Sequence, residues 1–465
     1  MTRPLPQNNP PKLVPGDGGL VAQTRCYRLI TPLFGGGADV QQADPITVVR
    51  ATEVRGQLRF WWRATRGGQF GDDWTAMKRA EDALWGSTER ASLVQVAVEV
   101  TARGKPRIIR RYDGTEISIG HPQSDYSYVA FPLNVNQQAH VIDGVAFMLR
   151  IIFPQKYMAD VVASLAAWEM FGGIGGRTRR GFGALQCLSV DDVPVPLPTA
   201  NALALREWIQ TLLDQQVVAG SWDANIPHLS HTTQFVAMPI QTSADTAWRT
   251  LFNLLKQFRH QRPQIPRKLG NGQTKPMPSR NHWPEPDAIR RMTGRRANYT
   301  DPQGNLHDHT HDVSNIDKFP RAAFGLPIQF EFKRADQRNG APPGPPPAHG
   351  DPLGKNRLLG EDSHGTELDR LASPLIIRPV ACGNGEQFGA IAVYLEGIDL
   401  PPKLTVEIQG PGGLTKRSVS AQLTASDAAT IPDVVAKKPL LNHYATTTTD
   451  IIVGFLNYLR RNKGV

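Results

Sequence analysis

The stretch Phe171–Ala184, FGGIGGRTRRGFGA, sets six glycines and three arginines between a helical pattern and a strand pattern. Glycine admits left-handed backbone and the close approach of another chain, and the guanidinium forks of Arg177, Arg179 and Arg180 match phosphate oxygens. A helix C-cap accounts for one glycine, not for six. The loop therefore reads as a backbone clamp for a polyanion. Its direction excludes the common nucleotide sites, because those loops follow a strand and open a helix. Here the helical run Val161–Met170 comes first, the strand Ala184–Val190 follows, and no Gly-Lys-Ser/Thr occurs in the loop.

Periodicity extends this order over Arg25–Val190. Strands are predicted at Arg25–Thr31, Ser92–Thr101, Val145–Phe153 and Ala184–Val190, with helices over Val49–Arg66 and Lys156–Phe171. Strand, helix, strand, strand, helix, strand is the ferredoxin-like order, and it puts the loop at one end of the sheet. A second unit starts near Gln234 with the strand-like QFVAMPIQ and a helix over Ala244–Phe258, whose Trp248, Leu251, Phe252 and Leu255 share a face. Further strands are predicted at Pro327–Phe332, Pro374–Pro379, Gly389–Leu395 and Leu404–Ile408, before a last helix over Asp450–Arg461.

The expected fold class is α+β, with two ferredoxin-like (RRM-like) domains and long irregular insertions. The expected divisions are a flexible tail over 1–20, a first domain over 21–195, a connecting helix and linker over 196–225, and a second domain over 226–465. The second domain carries a basic insertion, 261–317, and a mobile proline-rich insertion, 334–358.

Charge points to an anionic partner: Lys and Arg number 52 against 42 Asp and Glu, a net +10. Part of that excess is local, since Lys256–Thr300 holds eleven basic and two acidic residues, read as an RNA-contacting or a solvated loop. Three scattered cysteines form no CxxC pair, which indicates a reducing compartment. With neither a spanning apolar run nor a secretion signal, the expectation is a soluble cytoplasmic protein.

The helix Thr52–Gly67 has two faces. Arg55, Arg59, Arg63 and Arg66 form one stripe, while Val54, Leu58, Trp61, Trp62 and Thr65 cluster about a third of a turn away as a core face. Glu53 is the only acid in the helix, so the stripe reads as an uncompensated row facing solvent or phosphate, a second wall opposite the loop. The histidines His307, His309 and His311 alternate in a way that suits a transition metal, without an accompanying cysteine or EH pattern. No HExxH, GxSxG or P-loop occurs, and no cofactor is expected. Isolated histidines such as His121, His140 and His231 leave a metal-independent ribonuclease open.

Together these residues resemble the RAMP superfamily of CRISPR proteins and, within it, the family of subunit one of the Cmr complex. The resemblance rests on TPLFGGG (Thr31–Gly37), VRATEVRGQLRFWWRA (Val49–Ala64), EDALWGS (Glu81–Ser87), FGGIGGRTRRGFGAL, KFPRAAFGLPIQF (Lys318–Phe330) and LASPLIIRPV (Leu371–Val380). It implies a non-catalytic subunit of a type III-B effector, capping the backbone over the 3′ part of the guide. Its partners would be guide RNA (crRNA), target RNA and other Cmr-type subunits. The RNA-binding residues it implies, with those read from the loop and helix, are Arg50, Arg55, Arg59, Arg63, Arg66, Gly173, Gly175, Gly176, Arg177, Arg179, Arg180 and Gly181. A RAMP endoribonuclease acting on precursor guide RNA and a pure assembly protein are the alternatives. The proline-rich insertion and the basic stretch match none of the family's motifs.

Overall fold

The computed structural model describes residues 19–465 apart from 38–41, 45, 112, 135–139, 263, 269–272, 279–280, 294–297, 301–305, 309–315, 333–353, 411–412, 434–437 and 444–445. Strand β1 (Leu20–Leu29) leads through helices α1 (Ala51–Arg66) and α2 (Trp74–Trp85) to strands β2 (Gln95–Pro106) and β3 (Ile142–Pro154), helix α3 (Met158–Phe171) and strand β4 (Leu185–Val190). The strands are ordered β2-β3-β1-β4 with every neighbour antiparallel, and a short Val193–Pro194 return lies beyond β4.

Alternation along the strands decides which face is covered. Tyr27, Leu29, Phe147, Leu149, Ile151 and Phe153 are all buried under the helices. Tyr27 and Phe147 are register partners whose rings stack at 5.1 Å, the cross-strand contact that fixes a sheet. Helix α1 buries Val54, Leu58, Trp61, Trp62 and Thr65, the face its sequence pattern predicts. Helix α3 buries residues on every side because α1, the sheet and the next helix enclose it.

Helix α4 (Ala202–Gln216), capped by Asn201, connects to a second unit. There β5 (Phe235–Ala237), α5 (Ala244–His260), α6 (Pro284–Thr293), β6 (Ile328–Glu331), β7 (Lys355–Glu361), β8 (Leu375–Cys382), β9 (Gln387–Tyr394), β10 (Lys403–Gly410), β11 (Gly413–Val419) and α7 (Ile451–Arg461) follow. One sheet is ordered β8-β9-β5, and beyond β5 the residues Ala237 and Val465 exchange backbone hydrogen bonds of 2.8 and 2.9 Å. A separate antiparallel sheet, β6-β7-β10-β11, grows from stretches inserted on either side of β8 and β9.

Three expectations change. The 261–317 stretch is not simply irregular: it holds a hairpin pairing Gln264–Lys268 with Thr274–Pro278, helix α6, and a second short pair, Asn298–Thr300 with Leu306–Asp308. Trp283 anchors it, fully buried with its Nε1 donating to the Phe258 carbonyl at 2.8 Å. The insertion drawn over 334–358 ends early, since Lys355–Glu361 pairs with β6 and β10; its proline-rich part lies outside the described residues, as does most of the 1–20 tail. Helix α2 stands where no element was expected, started by Asp73 accepting from the Ala76 amide at 2.8 Å.

Candidate nucleic-acid interface

The glycine loop leaves α3 and folds back on itself. The Ile174 amide donates to the Gly183 carbonyl at 3.0 Å, and the Gly176 amide to the Phe34 carbonyl at 2.6 Å. The loop thus lies flat on the segment Thr31–Gly37. Two positions demand glycine: Gly183 has φ +60° and a Cβ there would run into the Ile174 carbonyl, while at Gly175, φ +81°, a Cβ would stand 2.6 Å from the Phe34 carbonyl. Gly173 lies against the Gly183 carbonyl, Gly176 against the Phe34 ring and Gly181 against the Trp248 indole. The second backbone that these glycines admit is the protein's own.

The three loop arginines are held differently. Arg180 is turned into the second unit, where Nη1 donates to the Leu375 carbonyl at 3.1 Å and Nη2 to that of Phe324 at 3.3 Å. Arg179 donates from Nη1 to the Ser373 carbonyl at 2.6 Å and lies over the Phe60 ring. Arg177 adopts a left-handed backbone, φ +58°, unusual for a residue with a Cβ. Its Nε donates to the Val129 carbonyl at 2.6 Å while its guanidinium sits between the rings of Phe34 and Phe131, 5.9 and 5.1 Å from their centroids. Burial, then the repulsion of Arg370, pushes Arg177 and Arg179 down to about 10. Burial, then Arg259, pushes Arg180 down to about 9. The ionic charges that depress these arginines are those of other arginines, and none of the three forms an ion pair among the described residues.

Helix α1 meets the loop through Glu53 and Phe60, one helical face. Glu53 Oε1 accepts from the Gly175 amide at 2.5 Å, and burial pushes its carboxyl above the usual range. The arginine stripe lies about a third of a turn away and is not uncompensated. Arg59 Nε and Arg63 Nη1 both donate to Glu81 Oε1, at 2.7 and 2.6 Å, and Arg59 also reaches Asp82 at 3.2 Å. Arg66 Nε stands 3.6 Å from Asp160. The stripe therefore braces α1 against α2 and α3, and loop and stripe do not face each other across one groove. Arg55 makes no ion pair among the described residues, and its buried Nε has no hydrogen-bond partner. Arg50 precedes the helix, and its attraction only partly offsets the burial that raises Glu53; the Asp44 carboxyl is lowered chiefly by the amides of Thr47 and Ile46.

Reading the sequence missed four residues beside the loop. Arg370, exposed, lies near Arg177 and Arg179, and Arg259 near Arg180. Arg259 Nη1 donates to the Tyr128 hydroxyl at 3.1 Å, and Phe131 leaves 63% of its surface exposed beside Arg177. Their signal was weak, because each comes from a segment remote in sequence. The histidine-rich segment lies outside the described residues except for the backbone of Leu306–Asp308, and among the described residues no three metal-ligating side chains gather. No helix among the described residues is long and apolar enough to cross a membrane.

The family model of the RAMP superfamily matches residues 26–186, which span β1 to the start of β4 and include the loop. The Cmr subunit Cmr1-2 of Pyrococcus furiosus is 31% identical over 172 residues, 34% of this chain and 90% of that relative. The chain belongs to the Cmr1 family of the RAMP superfamily. A second relative from the same organism, Cmr1-1, is 28% identical over 145 residues, 30% of this chain and 40% of its own length. Among solved structures, apo Cmr1 from Pyrococcus furiosus aligns over 82% of this chain and 90% of its own, at 16% identity and a TM-score of 0.45. A chain of the type III-B Cmr-beta complex bound to cognate target RNA aligns over 81% and 96%, at 13% identity and a TM-score of 0.45.

Proposed function

We propose that the protein is an RNA-binding, non-catalytic subunit of a type III-B Cmr effector, capping the backbone near the 3′ part of the guide RNA and helping to hold target RNA for antiviral defence. Its partners are crRNA, target RNA and the other Cmr-type subunits, and base pairing supplies the specificity. One observation carries the reading: the Arg177 guanidinium lies against the exposed Phe131 ring, with Arg179 and Arg370 nearby, and none of the three arginines forms an ion pair among the described residues. Guanidinium groups that repel one another gain from a polyanion that bridges them, and an aromatic ring among them suits an unstacked base. Arg50 and Arg55 each keep a buried Nε without a hydrogen-bond partner, whereas Arg59, Arg63, Arg66 and Arg180 are engaged within the fold.

A binding role also fits His260, which meets the edge of the Tyr128 ring next to the cluster. Burial and the surrounding arginines push it down to about 3, too low to carry a proton to or from a 2′-hydroxyl near neutral pH. The test is the salt dependence of RNA binding. Changing Arg177 and Arg370 to Ala should weaken binding to any sequence and lower the slope of log affinity against log salt by about 0.7 for each phosphate of the single strand that is no longer neutralised. An unchanged slope would falsify the interface. Incubation with repeat RNA in EDTA should yield no site-specific cut.

A further inference from the structure

Arg378 lies in the middle of β8, in the apolar run LIIRPV, and is 1% exposed. A guanidinium so placed has to find acceptors or forfeit its hydration, and no ion pair is formed with it among the described residues. Its acceptors are backbone carbonyls. Nη1 donates to Gly172 at 2.6 Å, Nη2 to Leu185 at 2.8 Å, and Nε to Pro379 at 3.2 Å. Gly172 is the residue that ends α3, and Leu185 the one that begins β4. The two arms of one fork therefore close on the two stems of the glycine loop.

Other contacts from the second unit reach the same loop. Trp248 Nε1 donates to the Arg180 carbonyl at 2.7 Å, and its ring meets Phe182 edge-on at 4.8 Å. Arg180 itself ties the loop's apex to Leu375, at the start of β8. Within the first unit the two stems are joined directly by the loop's own Ile174–Gly183 bond.

We infer that Arg378 is a positioning residue for the interface: by pinning Gly172 and Leu185 from the second unit it sets the loop conformation that presents Arg177. The inference rests on the RNA-binding reading only for its consequence, since the clamp itself is a property of the free protein. A planar fork suits the task because two nitrogens held at a fixed spacing each take one carbonyl, whereas lysine brings its three donors from a single nitrogen on a flexible stem.

The experiment uses the full chain carrying Arg378→Lys, Arg177→Ala, or both. Hydrogen exchange of the free protein is measured at the Ile174 and Gly176 amides, with exchange in β3 as the internal reference. Exchange in the loop should accelerate at least tenfold in Arg378→Lys while β3 stays as in the parent. Binding of a labelled single-stranded RNA is then measured across salt. Arg378→Lys should lower affinity and slope in the same sense as Arg177→Ala, and the double variant should be no weaker than Arg177→Ala alone, because the two act through one contact. Unchanged loop exchange overturns the inference whatever RNA does, and so do fully additive losses. If Arg177→Ala leaves RNA binding untouched, the RNA reading fails while the exchange result still decides the clamp. Acceleration that spreads equally to β3 would mean general destabilisation and also overturns it.

Discussion

Glu81 shows how much of the arginine stripe belongs to the fold. It is 1% exposed, and a single oxygen takes bonds from Arg59 and Arg63. Removing one partner of a buried charge pair costs more than the pair contributes, because the partner is left without its counter-charge. Glu81→Gln keeps the shape and an acceptor but discards the charge both arginines need, so urea unfolding should show a loss of about 3 kcal/mol. The RNA salt slope of Arg59→Ala should stay at the parental value. A shallower slope with unchanged stability would return the stripe to solvent and to RNA. The sequence could not reveal this partnership: the stripe is legible as a period on one helix, but the acids of Arg59 and Arg63 come from α2, in the EDALWGS segment, 18 to 23 residues further on, and that of Arg66 from α3. Arg378 was hidden for the opposite reason. A charge inside an apolar strand announces an unusual demand for acceptors, yet those acceptors are carbonyls, which any residue supplies.

At the scale of elements, the strands and the long helices of the first unit were readable because each buries one face, and alternation or a 3.6-residue period records it. Helix α2 escaped because its buried residues Met77, Glu81, Leu84 and Trp85 include the acid, which breaks an apolar stripe. Helix α6 escaped because eleven basic residues around it masked the apolar pair Trp283 and Ile289. The end of α5 offers a measurable consequence of such crowding. His260, its last residue, is held neutral by burial and by Arg262, Arg321 and Arg259, with its titration lowered from 6.5 to about 3. The unfolded chain takes up a proton near 6.5 that the native state refuses, so this contribution is complete above that pH and is lost as pH falls towards 3. The decline should be about 1.4 kcal/mol per pH unit within the window. Urea midpoints at several pH values should show a flatter acid limb for His260→Gln than for the parent; parallel curves would refute the assignment.

For the whole molecule, length alone suggests several cores, yet the units do not keep theirs apart. The cluster built on Tyr27, Trp61 and Phe147 continues into Ile376, Val380 and Ile391 of β8 and β9, and the cluster around Trp248 takes in Phe34 and Phe182 from the first unit. Polar links cross the same joint: Arg107 donates to Asp143 at 2.6 Å and to Asp245 of α5 at 2.8 Å, and the Tyr126 hydroxyl donates to Asp245 at 2.6 Å. A division near residue 225, drawn from the sequence as a domain boundary, would uncover Phe34 and Phe182 and leave Arg378 without Gly172 and Leu185. Large apolar side chains left bare cost roughly 1.5–3 kcal/mol each, and an unpaired buried guanidinium costs further. Losses of that size from the shared clusters are comparable with the 5–15 kcal/mol of net stability typical of a folded protein. The expected result is a single unfolding transition for the full chain, coincident by tryptophan fluorescence and circular dichroism. Residues 19–225 expressed alone should lack fixed tertiary structure by near-ultraviolet circular dichroism, and should regain it only when mixed with residues 226–465. Two separated transitions in the intact chain, or a natively folded isolated fragment, would show instead that the loop is complete before the second unit docks on it.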